Sequence, residues 1–353
     1  MLNFVNVINI YNSSNPFISS MKLLFFLSGE HETLPPAEVL AVFESNGAKY
    51  RVLDLFEQVL IADAELDNIQ DRLGMTHTIC EFLGSCENSV DEILGLVKSV
   101  EVAENSFAVR IKRIKRHGKA LSTAALEREI GSVIGEKGST KVDLENPEET
   151  ILGIISERFA IGRVIVEVDR SQYEARRPHK RPYFHPGAML PRISRACVNL
   201  TRVKAGERFL DPFCGTGGFL IEAGLLGAEV YGFDIDAEAV RGCEKNLKQY
   251  GIDCKVDVKD AMELEHEGFF DAVATDPPYG ISASTKGLNL DELYGRTLKS
   301  IFTALKDDRY ACIISPQEVP VERLSTDAGF GVVDTHFERI HRSLTRKILV
   351  LKK

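Results

Sequence analysis

FLDPFCGTGGFL, residues 209–220, is an apolar strand signal that runs into a carboxylate, Asp211, then a glycine-rich turn and the start of an apolar helix. Gly215, Gly217 and Gly218 let the backbone turn sharply and approach a ligand at a helix N-terminus, where any Cβ would collide. A dinucleotide site of the G-x-G-x-x-G type needs a glycine at 220, where Leu220 stands, and no Gly-Lys-Ser/Thr follows to hold a pyrophosphate. The turn therefore faces something smaller and less anionic than a dinucleotide or a nucleoside triphosphate.

Outward from this turn the chain keeps a regular rhythm. Strands are expected at 208–211, 229–234, 254–259, 270–275 and 310–315, with helices at 192–201, 219–226, 237–250 and 290–305. Alternating strands and helices joined by short loops imply a parallel sheet with helices on its faces. The tail differs: 331–339 and 346–351 read as adjacent strands joined by a basic loop, an antiparallel hairpin at one edge. Chemistry-bearing residues stand at four consecutive strand ends. After the glycine turn comes VYGFDID, with Asp234 placed to accept both hydroxyls of a ribose. Then comes Lys259-Asp260-Ala261, whose Asp260 can accept from an adenine amino group. The fourth is Asp276-Pro277-Pro278-Tyr279. Any one of these is ordinarily a strand terminator; four in order, at the carboxyl ends where ligands of open α/β sheets sit, make a site.

The last of the four is the most specific. Two prolines fix φ near −65° and remove two backbone donors, giving a rigid extended corner. Carbonyls near Asp276 and Pro277 are left to face a ligand, beside an acceptor-only carboxylate and an aromatic face. That is a clamp for a flat molecule bearing an NH2 group. An aryl amine is a poor nucleophile until acceptors hold its hydrogens and localise its lone pair, and Asp276 and the Pro277 carbonyl supply them while Tyr279 stacks on the ring.

Composition bounds the rest. The 353 residues are 44% hydrophobic and 27% charged, which fits two or three globular domains. Seven scattered cysteines form no C-x-x-C pair, against both a zinc site and a disulfide framework, so no metal and reduced cytoplasmic thiols are expected. No apolar run reaches the ~18–20 residues of a membrane span. Residues 1–20 lack Lys and Arg, fail as a signal peptide, and read as a disordered leader or an over-long start ahead of Met21. The net charge of −9 hides two basic segments. RIKRIKRHGK, 110–119, holds Arg110, Lys112, Arg113, Lys115, Arg116 and Lys119 without an acid. Residues 170–208 hold ten positive side chains, Arg176, Arg177, Lys180 and Arg181 among them, against Glu174 and Glu207. With Tyr173, Tyr183, Phe184 and several prolines threaded through the second, the pair is expected to be a polyanion surface. Upstream of it, strands are expected at 22–27, 50–54, 58–62, 77–83, 106–112 and 159–169. Helices are expected at 35–46, 65–73, 90–97 and 122–135, the last capped by Ser122 or Thr123.

The ordered strand-end set resembles the class I S-adenosylmethionine-dependent methyltransferases over roughly 185–353, and Asp-Pro-Pro-Tyr resembles the subclass that methylates exocyclic amino groups. RRPHKRPYFHPGAMLPRISRACVNL, 176–200, is similar to the linker and entry helix of the archaeal tRNA guanine-N2 methyltransferases acting at position 10. The first half resembles a ferredoxin-like domain followed by a THUMP module. The resemblance implies an α/β chain with five parts: a leader (1–20), a ferredoxin-like domain (21–65), a THUMP domain (66–168), a basic Pro-rich linker (169–190) and a Rossmann-like methyltransferase (191–353). The last would hold a mostly parallel seven-stranded sheet with an antiparallel edge hairpin. It further implies S-adenosyl-L-methionine held by Asp211, Cys214, Gly215, Thr216, Gly217, Asp234, Asp260 and Ala261, catalysis at Asp276, Pro277, Pro278 and Tyr279, tRNA as partner, and room for a small activator subunit. Enzymes for tRNA position 6 or ribosomal RNA, adenine-N6 or glutamine-amide methylation, and a non-catalytic RNA-binding subunit remain as alternatives.

Overall fold

The computed structural model describes residues 21–65, 68–137, 140–265, 267–280, 289–342 and 344–353. The expectation for residues 1–20 lies outside them. Two compact units emerge. Of the described residues, the first comprises those up to Glu32, Ala48–Asp71 and Thr76–Asp169; the second comprises those in Thr33–Gly47, Arg72–Met75 and Arg170–Lys353.

In the first unit, strands β1 (Met21–Leu27), β2 (Tyr50–Phe56), β3 (Val59–Ala64), β4 (Thr76–Cys86), β5 (Ser106–Arg113), β6 (Lys141–Val142), β7 (Glu149–Ile155) and β8 (Phe159–Glu167) form one sheet. Its order is β2-β3-β1-β4-β8-β7-β5-β6. The expected division near residue 65 does not divide this sheet, because β1 pairs with β3 on one side and β4 on the other. Alternation in β5 turns Phe107, Val109 and Ile111 into a core with residues of the helices at Val90–Val97 and Thr123–Gly135. Lys112 is left exposed. Ser122 caps the second helix, its Oγ accepting from the Ala125 amide at 3.3 Å.

The helix expected over 65–73 is not formed at 68–73, which is turn. Asn68 takes a left-handed φ of 42°, which a helix interior does not tolerate. Beyond it the amides of Gly74 and Met75 donate to the Glu38 carboxylate, both at 2.9 Å, instead of to helix carbonyls.

The second unit holds helix α1 (Leu34–Asn46) from the N-terminal region and everything from α4 (Ser171–Ala175) on, α2 and α3 being the first unit's two helices. Strands β9 (Arg208–Asp211), β10 (Glu229–Asp234), β11 (Cys254–Val258), β12 (Phe270–Thr275), β13 (Leu305–Pro316), β14 (Gly331–His341) and β15 (Leu344–Lys352) form a sheet of order β11-β10-β9-β12-β13-β15-β14. Five strands are parallel, and β15 runs antiparallel to both β13 and β14. Alternation divides the core. Phe209, Ala272 and Ala274 pack with α1, α5 (Pro191–Leu200), α6 (Gly218–Leu225) and α7 (Ala237–Gln249). Leu210 and Val273 pack with α8 (Leu290–Ala304) and Val321 of α9 (Val321–Ala328). The stretch expected to be an extended linker instead contains α4 and a 3-10 turn at Pro178–Lys180, whose first position suits proline.

Candidate active site

The glycine turn joins β9 to α6. Gly215 and Gly217 are left-handed, with φ of 48° and 81°. A Cβ on Gly217 would lie 2.7 Å from Cys243 Sγ, whereas one on Gly215 would meet open space. Gly217 is thus required by packing as well as backbone, and Gly215 by its backbone alone. The turn is anchored from two sides. Asp234, ending β10, accepts the Gly215 amide at 3.0 Å and the Asp236 amide at 2.9 Å. Asn246 of α7 donates to the Thr216 carbonyl at 2.9 Å while exchanging two hydrogen bonds with the Tyr183 backbone, also at 2.9 Å.

The eight residues assigned to the cofactor divide. Asp211 is 2% exposed and accepts the Thr275 hydroxyl at 2.8 Å and the Phe213 amide at 3.1 Å. It clamps the ends of β9 and β12, and burial pushes its carboxyl up to about 8. Cys214 is buried against Cys243, which raises its thiol well above the usual range. Neither side chain is turned outward, a correction to the expectation that they hold the ligand; the backbone at 214–217 remains available. Ala261 is buried beside Asp260, whose Oδ1 accepts the Met262 amide at 2.9 Å.

At the end of β12, the Asp276 Oδ1 accepts the Tyr279 hydroxyl at 2.6 Å. Among the described residues no hydrogen bond reaches Oδ2, which lies 4.0 Å from Arg346 Nη2. Burial raises the Asp276 carboxyl, against the lowering pull of Arg346 and of the Tyr279 hydroxyl. The Pro277 carbonyl, expected to be unpartnered, faces the buried Tyr294 hydroxyl at 3.4 Å. That hydroxyl lies equally far from the Ile314 carbonyl and has one proton to give, so the contact is weak.

The arrangement fits S-adenosylmethionine: a left-handed glycine turn whose Gly215 faces open space, then two acceptor-only carboxylates at the next strand ends for hydroxyl and amino hydrogens. A profile for the RMKL-like methyltransferase domain matches residues 178–348, and one for the THUMP domain matches 88–161. A tRNA (guanine(10)-N2)-dimethyltransferase of Methanothermobacter thermautotrophicus is 39% identical, the alignment covering 94% of this chain and all of that one. The chain belongs to this family. The Methanocaldococcus jannaschii enzyme of the same name is 35% identical over 93% of this chain and 99% of its own. Among solved structures, TrmN from Thermus thermophilus covers 94% of this chain and 99% of its own at 20% identity and a TM-score of 0.53, a likeness of fold. Among the described residues no cluster of His, Cys, Asp and Glu is arranged to hold a metal, and no helix is long and apolar enough to cross a membrane.

The structure redistributes the basic residues of this family member. Arg176 is 6% exposed and forms a two-point ion pair with Glu222 at 2.9 and 3.0 Å, a carboxylate it shares with Arg195. Arg181, 5% exposed, donates through Nε to the Arg176 carbonyl at 3.0 Å. Both are corrections: neither guanidinium reaches solvent to meet a phosphate. Arg113 donates to the carbonyls of His117, Gly118 and Leu121, stapling the turn after β5. Arg110 donates to the Leu144 carbonyl at 2.6 Å, Lys115 pairs with Glu57, and Arg177 pairs with Glu174 at 2.7 Å. Lys112, Arg116 and Lys180 are exposed.

Sequence reasoning missed Asn246, Tyr294 and Arg346. Each acts across strands or helices far apart in sequence, so spacing carries no sign of it. The one available clue was the basic loop between β14 and β15, whose far strand carries Arg346.

Proposed function

We propose that this protein methylates the exocyclic N2 of guanosine in tRNA, at position 10, once and then a second time. The observation that carries the reading is the Asp276 corner, with one carboxylate oxygen that no hydrogen bond from the described residues reaches, in a chain that spans the whole length of relatives bearing that activity's name. S-adenosylmethionine supplies the electrophilic methyl group. The protein's part is to hold the amine. Asp276 Oδ2 accepts one N2 hydrogen, which localises the nitrogen lone pair, and the proton becomes acidic as the nitrogen is alkylated. The Pro-Pro corner fixes this acceptor before the base arrives, so little reorganisation remains at the moment of reaction. Tyr279 offers its ring to the base, and its hydroxyl orients the carboxylate through Oδ1. Asp234 and Asp260 take the ribose and adenine ends of the cofactor.

A guanine N2 in a tRNA stem must leave its stack to reach Asp276, at a cost of a few kcal/mol. Phosphate contacts offset this, and Lys112, Arg116 and Lys180 are the exposed candidates, with Arg110, Lys115 and Arg177 able to exchange their present partners for phosphate. The test is mass spectrometry of nucleosides from unmodified tRNA incubated with protein and cofactor, mapped by position, for wild type and Asp276→Ala. N2-methylguanosine and N2,N2-dimethylguanosine at position 10 are expected from wild type. The variant is expected to lose at least about 100-fold in rate while keeping its cofactor affinity in calorimetry. Methylation elsewhere, or an active variant, sinks the reading.

A further inference from the structure

Arg346 stands on β15 opposite Glu338 of β14 and Pro316 at the end of β13, which puts both side chains at the carboxyl edge where Asp276 ends β12. Its guanidinium faces two carboxylates and bonds neither: Nη2 lies 4.0 Å from Asp276 Oδ2, and Nη1 lies 3.9 Å from Glu338 Oε2. The Tyr279 ring centroid is 5.6 Å from the same group. Arg346 is 9% exposed, and among the described residues its Nε and the Glu338 Oε2 are buried with no hydrogen-bond partner. Leaving such groups unsatisfied is costly. The buried Arg176–Glu222 pair of the same unit, by contrast, closes to 2.9 Å. Among the described residues the Arg346 cluster does not close, and it lies beside the Asp276 oxygen that no hydrogen bond from them reaches.

We infer that Glu338 selects the base: its carboxylate accepts the N1–H of the target guanine while Asp276 accepts from the N2 amino group, with Arg346 holding both carboxylates in place. The inference rests on the guanine-N2 reading above. Guanine presents N1–H and N2–H2 side by side, two adjacent donor positions that two neighbouring carboxylates match. Adenine presents its amino group beside the N1 lone pair, so the second carboxylate would meet a lone pair and stay unpaired. Arg346 is a positioning residue, its charge offsetting the repulsion between two acids that would otherwise drive one of them to protonate.

The test uses tRNA carrying either guanine or 2-aminopurine at the target position. 2-Aminopurine keeps the N2 amino group but has a lone pair at N1 in place of N–H. Wild type is expected to prefer guanine by about 100-fold or more in kcat/KM, because the unmatched carboxylate is stranded. In Glu338→Gln the amide can donate to that lone pair, and the preference is expected to collapse toward one; Glu338→Ala, which reads nothing at N1, should also lose it. Calorimetry with S-adenosylmethionine checks that both variants are folded, and if both are too slow to time, the ratio of Kd values for the two tRNAs reads the part of the preference expressed in binding. A wild-type ratio near one, or a ratio unchanged in Glu338→Gln, overturns the inference while leaving guanine methylation standing. Failure of wild type on the guanine tRNA overturns the underlying reading instead.

Discussion

Residues 110–119 and 176–181 are alike in sequence, each a run of arginine and lysine without an acid inside it, and unlike in structure. On the first unit Lys112 and Arg116 project into solvent from β5 and the turn after it, and Lys115 pairs with Glu57 at the surface. In the second unit Arg176 and Arg181 are both buried: Arg176 pairs with Glu222 on α6, which has no exposed surface of its own, and Arg181 donates to the Arg176 carbonyl. Arg176 can go inside because a buried acid is fixed there to pair with it, since an unpaired buried charge is costly. Which cluster had such an acid was decided by helix packing. A positive run therefore marks a nucleic-acid surface only after the acids across the fold have been accounted for.

Several substitutions would break or sharpen this contrast. The largest effect is expected from Arg176→Ala, which removes the two-point partner of buried Glu222, leaves it Arg195 alone and should cost up to about 3–5 kcal/mol in denaturant unfolding. Lys112→Ala should stay within about 0.5 kcal/mol of wild type. Equal effects would mean that the two segments are not used differently.

The second unit's buried acids should also bend its stability with pH. Asp211 titrates at about 8 in the folded state against an ordinary value of 3.8. Between these values the folded form holds a proton that the unfolded form has lost, so stability falls as pH rises. Asp211→Asn should remove a slope of up to about 1.4 kcal/mol per pH unit across that window, read as the difference between the two proteins in denaturant midpoint at successive pH values. A wild-type curve that the substitution leaves unchanged would place Asp211's ionisation elsewhere.

A subtler effect belongs to the surface cluster. Neutralising Lys112 and Arg116 together should flatten the salt dependence of tRNA binding by roughly 0.7–0.9 in logarithmic slope per residue, with cofactor affinity unchanged. An unaltered slope would return both to the role of solvated surface charges. The smallest effect is expected at Glu57, whose carboxyl is held below its usual range by Lys115, with His117 adding to it. Its contribution is present above the ordinary carboxylate pKa and lost as pH falls through the lowered one, the opposite sense to Asp211. Glu57→Gln should flatten only the acid end of the stability curve, by under about 1 kcal/mol, because the pair is partly exposed.

The sequence by itself determined the parallel sheet, the glycine turn and the strand-end order of Asp234, Asp260 and Asp276, because these rest on local rules: periodicity, the conformational freedom of glycine and the fixed φ of proline. It also placed the antiparallel hairpin, whose two strands alternate on either side of a short loop. Only the tertiary structure decided that β1 joins β4 and so makes one sheet of two expected domains, that the stretch after Asn68 gives its amides to Glu38 rather than to a helix, and that Asp211 and Cys214 face inward. It alone brought Arg346 and Glu338 beside Asp276. Burial and charge pairing depend on which distant residues arrive at the same place, and local rules carry no record of that.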